Sequence, residues 1–200
     1  MSVAILFLAS AISTPMIDAL SIGIGTPPGD GGSRSRDPYF VQAKVDLLIE
    51  PNGRVVRCSF VPESGNEAAA TASCRGYRMW GPLPKPSLNG VPSHALIRVS
   101  VFYFPVSRPR GVRQREPDAA LTVNYLPGSA ASVDVHLQLA VDSGGSVTAC
   151  ESEAATERAA IVDVVCNAPE LLDVKPATDK KGRPIAYVTR RKIRLVLKPA

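Results

Sequence analysis

Cysteine is the residue type in this chain whose spacing points most clearly to chemistry. The four cysteines form two pairs with fifteen residues between the partners, Cys58 with Cys74 and Cys150 with Cys166. Thiol redox catalysis uses a close Cys-x-x-Cys pair, and metal-binding cysteines usually stand two to four residues apart. The spacing therefore favours one disulfide in each pair. Two free buried thiols per pair, or one metal site built from all four cysteines and the histidines, remain alternatives.

The two cysteine pairs belong to a longer internal repeat. Cys150 and Cys166 both lie 92 positions after their counterparts (150 − 58 and 166 − 74), with no gap between them. Turn residues obey the same offset, because Gly53 aligns with Gly145, Gly90 with Gly182 and Pro92 with Pro184. We interpret the chain as two copies of one small unit.

A unit of this size is expected to need disulfides for its stability. A domain of about sixty residues buries only about 60% of its unfolded surface, so a covalent link is useful. Each disulfide would contribute on the order of 3 kcal/mol and would persist in an oxidising compartment. The composition, with 45% hydrophobic residues and a net charge of +5, is that of a mildly basic globular protein. It fits loose attraction to anionic surfaces without selecting one.

Hydrophobic periodicity predicts the elements that position the first cysteine pair. The first unit, residues 40–104, begins with an alternating strand from Val41, and an Asn-Gly turn leads into a second strand that carries Cys58 on its inner face. Ser64, with Glu67 three residues later, predicts the start of a helix through a capping box. A last strand follows. The predicted fold class is α+β, with two tandem β-β-α-β units, each an antiparallel sheet with a helix on one face.

The second unit, residues 131–198, repeats this order, with Thr156 in the place of Ser64 as the helix N-cap. The last strand of each unit alternates apolar and polar residues, so its apolar side chains are expected to point inward. The apolar residues of these last strands include Ile97, Val99, Val101, Tyr103, Ile193 and Leu195.

Basic residues concentrate in two places. One is the Pro/Arg-rich linker, residues 105–130, and the other is the centre of the final strand. The linker reads either as a solvated connection or as a patch for an anionic surface, and the charged strand reads either as protection against edge aggregation or as a ligand contact. No aromatic residue is interleaved with the linker arginines, which argues against nucleic acid. The candidate anionic contacts are Arg108, Arg110, Arg113, Arg190, Arg191 and Lys192.

The N-terminus has the pattern of an export signal. The apolar run from Val3 to Ile12 is too short to span a bilayer but has the length of a signal-peptide core. Ala19-Leu20-Ser21 offers a small-x-small cleavage site. We therefore predict a signal peptide over residues 1–21, followed by a flexible Gly/Pro/Ser-rich leader over residues 22–39, and no spanning membrane segment.

Enzymatic function is not indicated. The sequence contains no paired carboxylates, no nucleophile motif near a histidine and no phosphate-binding glycine loop. We predict His94 in a loop and His136 on the outer face of a strand, and both fit surface histidines better than catalytic bases. We predict no catalytic residue, no cofactor and no metal.

The ordered motifs resemble a known family. They are EPNGRVVRCSFVPESGNEAAATASC with NGVP in the first unit, and SVTAC, ATERAAIVDVVC and PATDKKGRP in the second. This set resembles the TonB C-terminal domain family, especially its cysteine-containing members in the envelope of Gram-negative bacteria. The resemblance covers about 130 of the 200 residues.

The resemblance implies a function in the periplasm. Members of the family pair an edge strand with a short segment of TonB-dependent outer-membrane receptors in energy-coupled transport, a form of strand addition. For this chain it implies a protein partner, with the last strand of each unit as the pairing edge. The sequence lacks the spanning anchor and the long spacer of an energy transducer. We therefore predict a soluble TonB-like envelope protein.

A second hypothesis is a non-transducing scaffold or binding protein. Its basic residues would hold an anionic ligand such as peptidoglycan or lipopolysaccharide. The sequence leaves open the oligomeric state, the ligand, and whether one unit or both units bind.

Overall fold

A computed structural model describes residues 12–14, 19–24, 41–62, 64–79, 81–105, 116–126, 130–153 and 159–198. The fold is mixed α+β and consists mostly of strands. The helices are α1 (Glu67–Met79), α2 (Ala159–Cys166) and a short 3₁₀ helix (Pro169–Leu172). The strands are β1 (Ile12–Ser13), β2 (Ala19–Ile24), β3 (Val41–Ile49), β4 (Val55–Phe60), β5 (Ser87–Leu88), β6 (Val91–Pro92), β7 (His94–Pro105), β8 (Ala119–Val123), β9 (Ser132–Val141), β10 (Val147–Ser152), β11 (Ala177–Thr178), β12 (Pro184–Ile185) and β13 (Tyr187–Leu197).

One eight-stranded sheet joins the two halves of the chain. Its strand order is β10-β9-β13-β7-β3-β4, with β2 added to β7 and β8 added to β13. The hairpin partners are antiparallel, whereas β7–β13, β2–β7 and β8–β13 are parallel. β1, β5 and β6 form a small separate sheet, and β11 pairs with β12.

The order of elements repeats along the chain. β4 and β10 have the same length and lie 92 positions apart, and α1 and α2 begin at the same spacing. The hairpin glycines correspond as well, because Gly53 and Gly145 have φ angles of 86° and 89°. Only glycine adopts these angles readily, and a Cβ at Gly53 would lie 2.1 Å from the carbonyl oxygen of Leu83.

Both predicted disulfides are confirmed. Cys58 bonds to Cys74 and Cys150 bonds to Cys166, each with a sequence separation of 16 and with Cα–Cα distances of 5.4 and 5.8 Å. Each disulfide attaches a helix to the outer strand beside it, β4 or β10. The disulfides therefore stabilise the two ends of the sheet.

The two helices lie on opposite faces of the sheet. Ala69 and Ala70 of α1 pack in a core with alternate residues of β3 and β7, whereas Val162 and Val165 of α2 pack in a second core with β9 and β13. Val188 of β13 pairs with Ala95 of β7, and both belong to the first core. Side chains alternate along a strand, so the neighbouring Tyr187 faces the second core.

The start of α1 differs from the sequence prediction. Asn66 is the N-cap, because its Oδ1 accepts a hydrogen bond of 2.9 Å from the N–H of Ala69. The Ser64 hydroxyl instead donates to the carbonyl of Val61 and accepts from the N–H of Lys44. Ser64 thus ties the loop before α1 to β3. Thr156, the corresponding residue of the second half, lies outside the described residues.

Three segments predicted to lack regular structure contain strands. β2 crosses the boundary predicted between the signal peptide and the leader, so residues 22–24 are strand rather than leader. β8 lies within the predicted linker, and the nearby Leu126 is only 4% exposed in the second core. His94, predicted in a loop, is the first residue of β7.

Removal of one disulfide tests its contribution to stability. We expect Cys58→Ala with Cys74→Ala to lower the free energy of unfolding by about 3 kcal/mol, because the unfolded chain gains loop freedom. Urea unfolding under non-reducing conditions measures this change. The matched variant, Cys150→Ala with Cys166→Ala, opens a loop of equal length and should lose a similar amount. Unchanged stability in both variants would contradict the expectation.

Candidate functional site

The six apolar residues predicted on the pairing strands all lie in the cores. Each is at most 3% exposed. The hydroxyl of Tyr103 also donates a hydrogen bond of 3.1 Å to the carbonyl of Ala69 within the core. Their side chains hold the sheet to the helices and are not available to a ligand. A partner could reach these strands only through the backbone. The residues are Ile97, Val99, Val101, Tyr103, Ile193 and Leu195.

The last strands are not free edges, which corrects the sequence expectation. β7 pairs with β3 on one side, and on the other side with β13 at its start and with β2 from Ser100 to Pro105. β13 pairs with β9 along its length, and on the other side with β7 and β8. The physical reason is that the two last strands pair with each other and then diverge, so that each receives an added strand.

Short stretches of both strands face each other where they diverge. These are residues 96–99 of β7 and residues 189–192 of β13. The hydroxyl of Thr189 bridges them with a 2.5 Å hydrogen bond to the carbonyl of Leu96. At the far end of the β13 stretch, the carboxylate of Asp118 accepts a hydrogen bond of 2.8 Å from the N–H of Lys192. The backbone N–H of Asp118 donates to the carbonyl of Lys192 at 2.7 Å.

A cavity of about 350 Å³, which we name the central cavity, opens beside this divergence. Arg98 donates two hydrogen bonds to Asp46 there, at 2.9 and 3.0 Å, and Lys175 lies 3.6 Å from Asp173. Because acidic and basic groups are paired, the central cavity has mixed polarity. Its lining also includes Phe60, Val61, Pro62, Leu96, Tyr187 and Arg191.

The three basic residues predicted on the final strand are buried. Arg190, Arg191 and Lys192 are 3%, 7% and 4% exposed, so they do not present their charges to an anionic surface as the sequence suggested. Arg190 contacts Glu153, and the Lys192 ammonium lies 2.8 Å from Asp134. Burying the charges of Arg190 and Lys192 is tolerable because each of these two has an acidic partner.

Arg191 has a different environment on the other face of β13. Its guanidinium donates to the carbonyls of Leu172 and Asp173 at 2.8 and 3.1 Å, and to the hydroxyl of Thr189 at 3.1 Å. Asp173 ends the 3₁₀ helix with a φ of 42°, a left-handed conformation that costs energy outside glycine. Arg191 therefore stabilises this turn against the sheet.

The other predicted basic contacts, Arg108, Arg110 and Arg113, lie outside the described residues. Their role stays a prediction. His136 is on the strand β9, 41% exposed, with its Nδ1 4.0 Å from Glu153.

The outermost strands of the six-strand path are β4 and β10, which the sequence did not indicate as edges. In the described ranges no strand pairs with their outer sides. The N–H of Val61 bonds to Lys44 and that of Glu153 bonds to His136, so alternation turns the backbone of Cys58 and of Cys150 outward. Each open edge is short and is covered on one face by a disulfide-bonded helix, which limits aggregation.

A second cavity, the turn cavity, has a volume of about 510 Å³ and lies between the β3–β4 turn and the β11–β12 turn. Lys180 reaches across it to Glu50, at 3.3 Å. Hydrogen bonds from the backbone and side chain of Arg183 lower the pKa of Asp179 to about 2. The lining residues are Glu50, Pro51, Asn52, His94, Asp179, Lys180, Lys181, Arg183, Pro184 and Ile185.

Comparison with known proteins identifies no relative, because no family model, curated protein or solved structure matches the chain. Within the described ranges, no helix is long and apolar enough to cross a membrane. The same part of the chain holds no group of three or more His, Cys, Asp or Glu side chains arranged for a metal.

The charge network on β13 makes a pH-dependent prediction. A hydrogen bond from Arg194, assisted by Lys192, lowers the pKa of Asp134 from 3.8 to about 2. The ionised carboxylate therefore stabilises the fold fully above about pH 4, and this stabilisation is lost as the pH falls towards 2. We expect Asp134→Asn to lower the free energy of unfolding by about 1 kcal/mol at pH 7, a value reduced for solvent screening.

Urea unfolding of this variant and the wild type from pH 7 to pH 2 measures the effect. The difference between them should shrink between pH 4 and pH 2. Asp163→Asn, at an exposed position of α2, is the control and should change little at any pH. A difference for Asp134→Asn that does not vary with pH would contradict the role of the carboxylate charge.

Proposed function

We propose that this protein is a periplasmic TonB-C-terminal-like binding module that takes up an extended segment of a protein partner as an added strand. The observation that carries the proposal is the pairing of β2 with β7. Six residues from outside the repeated pattern lie parallel to the last strand, from Ala19 beside Ser100 to Ile24 beside Pro105. β8 adds to β13 in the same parallel sense. Strand addition at both last strands thus already occurs within the chain.

Binding by strand addition depends on two kinds of contact. Main-chain hydrogen bonds supply affinity, and pockets for alternate side chains supply selection. The backbone of β7 and β13 is held in register from behind by β3 and β9. Where an added strand leaves, a partner strand therefore meets a backbone that is already ordered, which reduces the entropic cost of binding.

We also infer that the two halves are copies of one unit. The common offset of the disulfides, hairpin glycines, outer strands and helix starts supports this. Two disulfides fit an oxidising compartment, and the predicted export signal fits the periplasm. By its resemblance, the partner is a segment of a TonB-dependent outer-membrane receptor, and the process is energy-coupled transport.

A second candidate function is binding of an anionic envelope ligand such as peptidoglycan or lipopolysaccharide. The turn cavity favours it, because Lys180, Lys181 and Arg183 are exposed around its rim. Lys180 and Arg183 are already paired with acidic residues. This pairing reduces the net positive charge that an anion would meet, so strand addition remains the stronger candidate.

Titration of the isotope-labelled protein with a TonB-box-like peptide at about 0.15 M salt tests the proposal by NMR. We expect amide shifts to cluster in residues 96–105 or 189–197, and to respond weakly to added salt because backbone pairing carries no net charge. The control is the same peptide with alternate residues replaced by proline, which removes backbone donors.

Two other results would indicate a different binding site or a different ligand. Shifts confined to β4 or β10 would place the strand-pairing site at an outer edge. Shifts around residues 180–183 that fade steeply as salt rises would contradict strand pairing and favour the anionic ligand.

A further inference from the structure

We propose that β2 is a releasable occupant of the β7 edge, and that the partner segment binds along residues 100–105, parallel to β7, in the place of β2. This rests on the proposed function and adds the location, the direction of the bound segment and the way access is controlled. β8 adds to β13 in the same parallel sense as β2 adds to β7, but the two added strands differ in how they are attached.

β8 is built into the second half. Asp118 bonds to both backbone groups of Lys192 just before β8, and the N–H of Lys198 bonds to the carbonyl of Val123 at its end, at 2.9 Å. The side chains of Ala119, Leu121 and Val123 pack against the second core. Release of β8 would therefore uncover apolar surface and break these bonds, which makes it a permanent strand of the sheet.

The connections of the two added strands also differ. Residues 25–40, sixteen in number, join β2 to β3, whereas residues 124–131 join β8 to β9. Ile24 lies beside Pro105 and Val41 beside Tyr103, so the end of β2 and the start of β3 flank the same end of β7. Strands two positions apart in a sheet are separated by about 10 Å, and sixteen residues can span roughly 50 Å.

Sixteen residues are more than enough to cover this distance, so β2 can leave β7 while β3 stays in place. The sequence of residues 25–40 is rich in glycine, proline and serine. Cleavage at the predicted signal-peptide site after Ser21 would be a second route, because it would leave only residues 22–24 of β2. Release of the whole strand opens residues 100–105 of the β7 backbone, whereas cleavage removes only the partners of residues 100–102.

Because β2 is part of the same chain, it competes with a free segment and lowers the apparent affinity of that segment for β7. Flexible tethers give effective concentrations on the order of millimolar. If the open edge binds a free segment with a Kd of about 100 μM, β2 weakens the apparent affinity about tenfold. β2 is short and contains no charged residue and no proline (ALSIGI). The competing segment should have the same properties.

The test uses the full chain and, as probe, a labelled synthetic peptide of residues 17–26, which contains the β2 sequence. Leu20→Pro and Ser21→Pro weaken β2, because consecutive residues of a strand turn their N–H groups to opposite sides and one of the two must face β7. We expect the peptide to bind at least one variant about tenfold more tightly than it binds the wild type, measured by fluorescence anisotropy. Ser33→Pro, in the connecting segment, is the matched control and should bind like the wild type.

An engineered disulfide between β2 and β7, the Ala19–Ser100 lock, should have the opposite effect on peptide binding. Ala19 and Ser100 are partners in the β2–β7 register, at a Cα separation typical of adjacent strands that a disulfide can bridge. Ala19→Cys with Ser100→Cys should abolish binding of the peptide. Peptide mapping confirms the new disulfide and the two native ones.

The proposal is overturned if both proline variants retain their native disulfides and bind the peptide no more tightly than the wild type. It is also overturned if light scattering shows a wild-type dimer that the Ala19–Ser100 lock abolishes, because β2 would then be exchanged between copies. Failure of the proposed function looks different. In that case the TonB-box-like peptide shifts no amide of β7 or β13, even in the proline variants.

Discussion

The parallel junction between β7 and β13 is the constraint on which the rest of the architecture depends. Only two residue pairs form it, Tyr187 with His94 and Val188 with Ala95, and the Thr189 hydroxyl extends it by one hydrogen bond. Ala95 and Val188 at the junction lie in the first core with α1, whereas Tyr187 lies in the second core with α2. The two helices are therefore on opposite faces of the shared sheet. Beyond the junction the strands diverge, and the space is taken by β2 and β8.

The two halves are not chemically equivalent. Val99 of β7 lies in the first core, whereas Arg191, 92 positions later on β13, is a buried cation that binds the carbonyls of Leu172 and Asp173. The opposite face of β13 carries Arg190, Lys192 and Arg194 with acidic partners on β9 and beside β10. The first half thus uses apolar packing where the second half uses a polar network, so the two halves offer different surfaces to a ligand.

Local features of the sequence predicted the parts of the fold that depend on local physics. Hydrophobic alternation and turn residues predicted the strands β3, β4, β9 and β10 and the helices α1 and α2, and the cysteine spacing predicted both disulfides. The pairing of β7 with β13 could not be read in this way, because it joins positions 93 residues apart that carry no signal in common. β8 was missed because a short strand inside a Pro/Arg-rich segment has too few residues for a clear alternation. The burial of Arg190 and Lys192 was not predictable either, because their acidic partners, Glu153 and Asp134, are far from them in the sequence.

The closeness in sequence of the disulfide partners bears on how the chain reaches its native state. Each native disulfide joins cysteines with a separation of 16, whereas any link between the halves would have to close a loop of more than seventy residues. Short loops close at lower entropic cost, so thiol oxidation favours the native pairing among the three possible ones. The first half can therefore complete its disulfide while the second is still being synthesised. We expect the contact between β7 and β13, which joins residues far apart in the sequence, to form after these local links.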